Sequence, residues 1–373
     1  MDIGSNIALM KAAAGILHGR RTFGGPLHVI LSFTGRCNVR CIHCYFHSDY
    51  AERPNVIQVR HARMHNQPPP DHESIRGLQR LDWDADVMRS ITDQLIRMGT
   101  KTFILTGGEP FLSPHLLPLT ARLKRAGKYC LINTNGTLID RTATDELIRL
   151  GCDELRVSVL AGTEETYDRV HPGISAGTFG RLKRTLEYIA ERKAARLAAS
   201  VGADQAIFRP VDDVGDPGLS RMIPSPGEAA LARTQLAEAA VFLESRRIRH
   251  NIPLFLNVFE RRLDTSALYR IIPCYYGWVW TRIDPDGLVY PCCRCYEPMG
   301  NAFEQPFPAI WNGVPYRRFR ERAIRLNREG ARPESCNCDS CSHFTGNLRI
   351  YSALHPFAHG KLNEISPDLK VHV

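Results

Sequence analysis

The sequence predicts an α/β fold built on a parallel sheet, because short apolar strands alternate with helical stretches from residue 27 to about residue 250. Alternation of this kind indicates successive right-handed βαβ units. Ligands of such sheets bind at the carboxyl ends of the strands. Cysteine-rich, glycine-rich or polar sequences follow four of the predicted strands, so this edge of the sheet is the expected functional site.

The first predicted strand, residues 27–33, leads into a cysteine-rich loop. Three cysteines follow it with the spacing C-x3-C-x2-C: Cys37, Cys41 and Cys44. Soft thiolate ligands select iron–sulfur chemistry, and three of them leave one iron of a [4Fe-4S] cluster with an open coordination position. A structural zinc site is the alternative, with His43 or His47 as its fourth ligand, although both lie on the same short loop.

The second predicted strand, residues 102–106, ends in a Gly-Gly-Glu-Pro sequence. Its four residues are Gly107, Gly108, Glu109 and Pro110. Two glycines let the backbone approach a ligand closely, and the carboxylate after them can accept hydrogen bonds from an ammonium group. These features predict a ligand contact at the end of this strand, and a generic turn is the alternative.

The third and fourth predicted strands also end in polar residues. Thr134 and Asn135 follow the third strand, and Ser158 follows the fourth. Ordinary turn and strand polarity is the alternative explanation for all three. Cys130 and Cys152 lie in the same regions, and core packing is the expectation for both because free cysteine is among the most buried residue types.

These four sequences together resemble those of the radical S-adenosylmethionine (SAM) superfamily. The resemblance implies an open partial (β/α)6 barrel, in which SAM completes the coordination of the [4Fe-4S] cluster. It also implies that His43 lies against the adenine and that the Gly-Gly-Glu-Pro sequence binds the amino group of SAM. The implied SAM-binding residues are His43, Gly107, Gly108, Glu109, Pro110, Thr134, Asn135 and Ser158.

The chain departs from the family pattern in two places. A strand-like sequence at 202–210 follows the predicted helix 177–198 too closely to admit the fifth βα unit, which needs roughly 25–30 residues. Either the barrel is shortened by one unit or a segment is absent from the sequence. Residues 46–84 form an insertion that begins at the cysteine loop. Long loops of this kind are usually functional or disordered, and a lid over the substrate is expected.

A second group of cysteines lies in the last third of the chain, around a predicted β-hairpin at 283–291 with an Asp-Gly turn. The pattern resembles the SPASM/Twitch extension of radical SAM enzymes. The resemblance implies an auxiliary [4Fe-4S] cluster with four ligands: Cys274, Cys292, Cys338 and Cys341. A four-cysteine zinc ribbon is the alternative.

Three further cysteines are left over: Cys293, Cys295 and Cys336. Each could replace a ligand of the auxiliary cluster, and Cys293 or Cys295 could instead donate a hydrogen atom. Packing of small buried thiols around a cluster loop is the ordinary explanation.

The chain has 373 residues, 12 cysteines and a formal net charge of +9. No stretch approaches the ~20 apolar residues of a transmembrane helix, and no signal peptide is recognised. A cytoplasmic location is therefore expected, with the cysteines as metal ligands and not disulfides. The basic residues follow helix faces without interleaved aromatics, so neither nucleic acid nor a membrane is an expected partner.

The length predicts about two to three domains. The expected division is an N-terminal extension (1–26), a radical SAM partial barrel (27–250), a SPASM/Twitch domain (251–345) and a tail (346–373).

The resemblance implies an oxidoreductase-type enzyme that cleaves SAM reductively to a 5′-deoxyadenosyl radical and abstracts hydrogen from a substrate. A reductant such as flavodoxin or ferredoxin supplies the electron. Because 26 residues precede the first strand, the expected substrate is a small natural-product intermediate of the sugar, aminocyclitol or nucleoside type, undergoing dehydrogenation or epimerisation. The alternatives are a maturase of a ribosomally made peptide and a non-enzymatic iron–sulfur carrier or scaffold.

Overall fold

The structure is a computed structural model. It describes residues 3–44, 47, 77, 79–197, 205–208, 225–259, 268–295, 297–329, 336, 338, 341 and 343–355. The strands of its main sheet are β1 (His28–Ser32), β2 (Thr102–Thr106), β3 (Tyr129–Thr134), β4 (Glu154–Val157), β7 (Trp280–Ile283), β8 (Leu288–Tyr290) and β9 (Gly300–Asn301). Two short strands, β5 (Gln205–Ala206) and β6 (Arg249–His250), pair separately.

The main sheet has the strand order β4-β3-β2-β1-β7-β8-β9. Its first four strands are parallel, which confirms the predicted α/β fold. Alternate residues of the inner strands, such as Val29, Leu31 and Phe103, are fully buried. Burying one such side chain stabilises the fold by roughly 1.5–3 kcal/mol. The main core therefore lies between the sheet and the helices that cover it.

Helices cover the sheet and connect its strands. In the first two thirds of the chain they are α1 (Ile3–His18), α2 (Ala85–Arg97), α3 (Leu116–Arg125), α4 (Arg141–Leu150), α5 (Glu164–Val170), α6 (Thr178–Leu197), α7 (Pro226–Ser245) and α8 (Ile252–Phe259). The remaining helices are α9 (Tyr276–Val279), α10 (Phe307–Trp311), α11 (Val314–Ala323), α12 (Leu326–Glu329) and α13 (Phe344–Leu354).

Local sequence explains where the helices over the sheet begin and end. The Asp84 side chain accepts hydrogen bonds from the backbone of Asp86 and Val87 at the start of α2, and Asp140 accepts one from Ala143 at the start of α4. Such caps stabilise a helix by about 1 kcal/mol each. The α4 helix stops at Gly151, whose φ of 74° is accessible to glycine at little cost.

The fifth βα unit, for which the sequence leaves no room, does not occur among the described residues. Only the seven residues 198–204 separate α6 from β5, and β5 pairs in parallel with β6, so that Gln205 lies opposite Arg249. Among the described strands, β4 is the edge of the main sheet. The strand predicted at 202–210 is present as the two-residue β5, which pairs with β6 and not with the main sheet.

The hairpin predicted in the last third of the chain is confirmed. β7 and β8 are antiparallel, and Gly287 in the turn has a φ of 81°, as an Asp-Gly turn requires. β7 also pairs in parallel with β1, with Trp280 opposite His28. One sheet therefore contains strands from both sides of residue 250, and the domain division placed there stays a prediction.

The N-terminal segment packs on the C-terminal part of the chain. Trp278 donates a hydrogen bond from its ring nitrogen to the carbonyl of Arg21, and Trp311 donates one to Gly24. In α1 itself, Ala12 and Ile16 are buried in the main core, so this helix is packed on the same part of the chain. None of the described helices is both long and apolar enough to cross a membrane.

Candidate iron–sulfur and SAM sites

The loop with the first three cysteines crosses directly over the Gly-Gly-Glu-Pro sequence. The backbone N–H of Gly108 donates to the carbonyl of Thr34 (2.8 Å), and that of Glu109 donates to the carbonyl of Arg36 (2.7 Å). A Cβ on Gly107 would lie 2.2 Å from the Thr34 oxygen, and a Cβ on Gly108 would lie 2.2 Å from the Arg36 oxygen. Both glycines therefore admit the backbone of the cysteine loop, and their contact with a ligand stays a prediction.

The far end of the cysteine loop rests on α5. The backbone N–H of Ile42 donates to the carbonyl of Val170 (3.0 Å). Below this contact, the fully buried Tyr167 packs on the buried ring of His171, with 4.1 Å between ring centroids. Sequence reasoning missed Tyr167 and His171, and the available signal was an aromatic residue and a histidine four positions apart on one helix face.

The end of the 46–84 insertion supports the start of the cysteine loop. Thr34 and Asp82 form an antiparallel bridge, and the Arg36 guanidinium pairs with the Asp82 carboxylate at 2.6 Å. Trp83 is buried and donates a hydrogen bond to the carbonyl of Pro285 in the hairpin turn (3.1 Å). Residues 48–76, which carry the predicted lid, lie outside the described residues.

The three thiols are half-buried and close enough to affect one another. Burial raises the pKa of Cys37 to about 11. Burial, followed by the negative charges of Cys44 and Cys37, raises the pKa of Cys41 to about 12. Thiolates that repel one another in this way are stabilised by cations bound between them, so the set fits the iron ions of a cluster.

The Glu109 carboxylate is fully buried at the ends of β2 and β3. It accepts hydrogen bonds from the Thr134 hydroxyl (2.8 Å), the Asn135 backbone N–H (2.8 Å) and the Phe111 backbone N–H (3.1 Å). Burial raises the pKa of Glu109, and these three donors oppose the rise. A carboxylate has about four acceptor positions, so roughly one remains for a further donor such as an ammonium group.

Asn135 joins the cysteine loop to the end of β3. Its side-chain amide donates to the Asn38 side-chain oxygen (3.0 Å) and lies 3.9 Å from the Cys37 sulfur. Its side-chain oxygen accepts hydrogen bonds from the backbone and hydroxyl of Thr137. The predicted site residues Thr134 and Asn135 are therefore brought together with Glu109 and with the cysteine loop.

The other predicted SAM-binding residues lie around this centre. His43 is half-buried on the cysteine loop, where burial and then the neighbouring His171 lower its pKa. Pro110 is buried and begins a short 3-10 turn after Glu109. Ser158 is exposed just beyond β4, and its backbone N–H donates to the carbonyl of Thr134 (2.9 Å). The SAM contacts of these residues stay predictions.

The cysteines of the last third surround one cavity. Five thiols line it: Cys274, Cys292, Cys336, Cys338 and Cys341. The four predicted ligands are thus brought together, with Cys336 as a fifth thiol. Burial raises the pKa of Cys341 to about 11, and burial and neighbouring thiolates raise those of Cys274 and Cys292. Buried thiolates that repel one another fit a bound iron–sulfur cluster for the same reason as in the first loop.

Polar groups from two segments face the sulfurs of this cavity. The Tyr269 hydroxyl lies 2.9 Å from the Cys341 sulfur, and the Asn347 amide nitrogen lies 3.7 Å from the Cys274 sulfur. The same amide donates to the Tyr269 hydroxyl (2.8 Å), and the Asn347 oxygen accepts from the Tyr275 backbone (2.8 Å). Sequence reasoning missed Tyr269 and Asn347, because residues 72 and 73 positions from their partners leave no local pattern.

Of the left-over cysteines, Cys295 and Cys336 face each other. They form an antiparallel bridge between two otherwise separate segments, and Cys295 is fully buried. Neither Cys293 nor Cys295 is among the residues that line the thiol cavity. Within the described part of the chain, no three His, Cys, Asp or Glu side chains converge as a site for a single metal ion, and the thiols instead surround a cavity.

The two thiol sites lie toward opposite ends of β1. Cys37 follows the carboxyl end of this strand, whereas the amino end at His28 lies beside Trp280. The Trp280 ring is 4.9 Å from the ring of His343, which lines the thiol cavity. Since parallel strands rise ~3.3 Å per residue, the length of β1 puts about 13 Å between the two levels.

Two family models match this chain. A radical SAM superfamily model matches residues 31–199, and a model of the SPASM iron–sulfur cluster-binding domain matches residues 274–342. The first match contains the cysteine loop and all the predicted SAM-binding residues. The second contains the four predicted auxiliary ligands, and its description favours an iron–sulfur cluster over the zinc ribbon.

The proteins of similar sequence include enzymes with different named activities. The Fe-coproporphyrin III synthase of Methanosarcina barkeri is 28% identical over 141 residues, which cover 38% of this chain and 29% of that protein, so less than a third of its length is matched. The PqqA peptide cyclase of Granulibacter bethesdensis is 22% identical over 374 residues, which cover 91% of this chain and 90% of that protein.

A solved structure shows a similar fold. Streptococcus suis SuiB, bound to its precursor peptide SuiA, superposes with a TM-score of 0.55 at 13% identity, covering 89% of this chain and 80% of that one. The family's cofactors are a [4Fe-4S] cluster, SAM and an auxiliary iron–sulfur cluster, and the paired thiol sites fit them. The chain belongs to the radical SAM superfamily and carries a C-terminal SPASM iron–sulfur domain.

Proposed function

We propose that this radical SAM enzyme abstracts a hydrogen atom from a peptide and modifies that peptide. The observation that carries the proposal is the match with a PqqA peptide cyclase along 91% of the chain, through both cysteine-rich regions. The fold is also similar to that of SuiB, which was solved with a precursor peptide. The expected small-molecule substrate rested on the number of residues before the first strand, and the geometry of the described residues does not test it.

In this proposal Cys37, Cys41 and Cys44 hold the SAM-binding cluster. When bound, this cluster supplies the electron that cleaves SAM to a 5′-deoxyadenosyl radical. The residues of the chain position SAM relative to the cysteine loop. Glu109, held by three donors, keeps one acceptor position for the amino group of SAM, and Asn135 fixes the distance between that carboxylate and the cysteine loop. Fixed distances of this kind are the protein's main contribution to cofactor chemistry.

The second thiol site serves electron transfer in this proposal. Cys274, Cys292, Cys338 and Cys341 hold the auxiliary cluster, which then has no open iron for a substrate. Its level lies about 13 Å along β1 from that of the cysteine loop, so the two sites can exchange electrons but not atoms directly. An electron removed from the substrate radical would leave by this route, so a net oxidation of the peptide is the proposed outcome.

Deuterium transfer tests the substrate class without knowing the substrate. The reconstituted enzyme is incubated anaerobically with SAM and dithionite, together with either a perdeuterated peptide digest or a perdeuterated, peptide-free metabolite fraction. We expect 5′-deoxyadenosine that carries one deuterium only with the peptide digest. Deuterium only with the metabolite fraction would overturn the proposal, as would unlabelled product in both.

A small-molecule substrate is the second candidate, favoured by the 28% identity over 141 residues to Fe-coproporphyrin III synthase, an enzyme named for a small-molecule product. Label from the metabolite fraction would support it. A non-enzymatic iron–sulfur carrier would form no 5′-deoxyadenosine in either incubation. The reductant, for which flavodoxin or ferredoxin is the expectation, is replaced by dithionite in this test.

A further inference from the structure

Two cysteines outside both cluster sites, one buried and one half-buried, lie next to each other. Cys130 lies on β3 with no exposed surface, and Cys152 is half-buried in the residues that lead into β4. The register of β3 and β4 sets Leu131 opposite Glu154, which places Cys130 level with Asp153 and next to Cys152. The Cys152 sulfur lies 3.6 Å from the carbonyl oxygen of Cys130, and the two thiols are within hydrogen-bonding reach of each other.

We propose that Cys130 and Cys152 are a redox-active dithiol, which forms a reversible intramolecular disulfide with a low-molecular-weight disulfide as oxidant. The sequence analysis assigned both to core packing, and that explanation is sufficient for Cys130 alone. Core packing does not explain why the half-buried Cys152 lies next to Cys130, at the point where two adjacent strands begin.

The surroundings of Cys152 favour its reactivity. The hydrogen bond from Cys130 lowers the pKa of Cys152, whereas burial raises it. The backbone of Glu154 and the ammonium of Lys124 also lower this pKa, and the Asp153 carboxylate raises it, with a net shift downward. Lys124 is held in place by the Asp153 carboxylate and by the carbonyl of Lys128. A lowered thiol pKa together with partial exposure is the environment of reactive cysteines.

The reaction balances as a double exchange. The Cys152 thiolate attacks one sulfur of the oxidant, which forms a mixed disulfide and expels one thiolate. The Cys130 thiol then attacks the Cys152 sulfur and expels the second thiolate, which takes up the Cys130 proton. The protein loses two electrons and two protons, and the oxidant becomes two thiols. The product ties β3 to the start of β4, at the end of these strands opposite Thr134 and Ser158.

Peptide mapping tests the pair directly. The cluster-loaded protein is incubated anaerobically with oxidised glutathione, free thiols are alkylated with N-ethylmaleimide, and a tryptic digest is analysed without reduction. Cleavage after Lys128, Arg141, Arg149 and Arg156 puts Cys130 and Cys152 on separate peptides, 129–141 and 150–156, each with a single cysteine. We expect neither peptide to carry an N-ethylmaleimide group, and we expect the two to be recovered joined to each other by a disulfide.

Two further measurements make the result specific. The linked peptide should disappear after dithiothreitol, and it should be absent from Cys152→Ser, whereas Cys293→Ser should still form it. Recovery of both peptides as separate alkylated species would overturn the proposal. So would glutathione retained on Cys152 without transfer to Cys130, or a link from either peptide to a cluster cysteine.

Discussion

The hydroxyl of Tyr269 lies 2.9 Å from the sulfur of Cys341, and both groups are buried. The Asn347 amide donates to the same hydroxyl, which orients it toward the thiol cavity. Hydrogen bonds to ligand sulfurs stabilise the more negative, reduced form of an iron–sulfur cluster and raise its reduction potential. Tyr269 is therefore positioned to set the potential of the auxiliary cluster.

Tyr269→Phe should lower the reduction potential of the auxiliary cluster. If the lost hydrogen bond is worth about 1 kcal/mol more in the reduced state, the shift is about 40 mV for one electron. Potentiometric titration followed by EPR measures it. Tyr275→Phe is the matched control, because that hydroxyl is buried nearby without a hydrogen-bond partner among the described residues. Equal shifts in the two variants would contradict the assignment.

Gly108→Ala should prevent assembly of the SAM-binding cluster. The new Cβ would lie 2.2 Å from the carbonyl oxygen of Arg36, so the cysteine loop must move away from β2. Iron analysis should show about half of the wild-type content, because the auxiliary cluster lies on another segment. Gly162→Ala is the control, since an added Cβ there meets nothing within 4 Å. A full complement of iron in Gly108→Ala would disprove the close-approach argument.

Cys41→Ala should abolish formation of 5′-deoxyadenosine under dithionite. Two thiolates do not hold a four-iron cluster that keeps one open position for SAM. Chromatography of the quenched reaction measures the product. Cys152→Ala removes a half-buried thiol that belongs to neither cluster and should leave SAM cleavage intact. An unchanged yield in Cys41→Ala would remove the first cluster from the assignment.

The reconstituted protein should contain about eight irons per chain, from two four-iron clusters. The triple variant of Cys37, Cys41 and Cys44 to Ala should retain about half of them, with an EPR signal that SAM does not alter. If the protein contains zinc and only four irons, the C-terminal thiols form a four-cysteine zinc ribbon and not an iron–sulfur site.

Cys338→Ala combined with Cys341→Ala should still cleave SAM but form no modified product. The cysteine loop and Glu109 lie on other segments and keep their contacts, whereas the electron acceptor is lost. Since a cluster also stabilises its domain, the variant must first show the EPR response of the remaining cluster to SAM. Full product formation by the folded variant would make the auxiliary cluster structural and remove the argument for an oxidation.

Much of the first site could be predicted from the sequence because its chemistry is local. Three thiols lie within eight residues, and a carboxylate directly follows two glycines, so their spacing along the chain indicates their function. The strands could be predicted as well, since each is a short apolar run before a polar turn. The reason for Gly107 and Gly108 could not, because the atoms they admit belong to Thr34 and Arg36, about 70 residues earlier.

The sequence by itself determined the α/β order of the elements and the cysteine loop, because periodicity and ligand spacing are local properties. The four predicted thiols of the second site followed from the resemblance to the SPASM/Twitch extension. Only the tertiary structure decided that β7 joins β1, that the two thiol sites lie toward opposite ends of that strand, and that Cys336 is a fifth thiol in the cavity. It also brought Tyr269 and Asn347 to the ligand sulfurs and paired Cys130 with Cys152. These relationships depend on strand register and on packing between segments far apart in the chain, which no local pattern encodes.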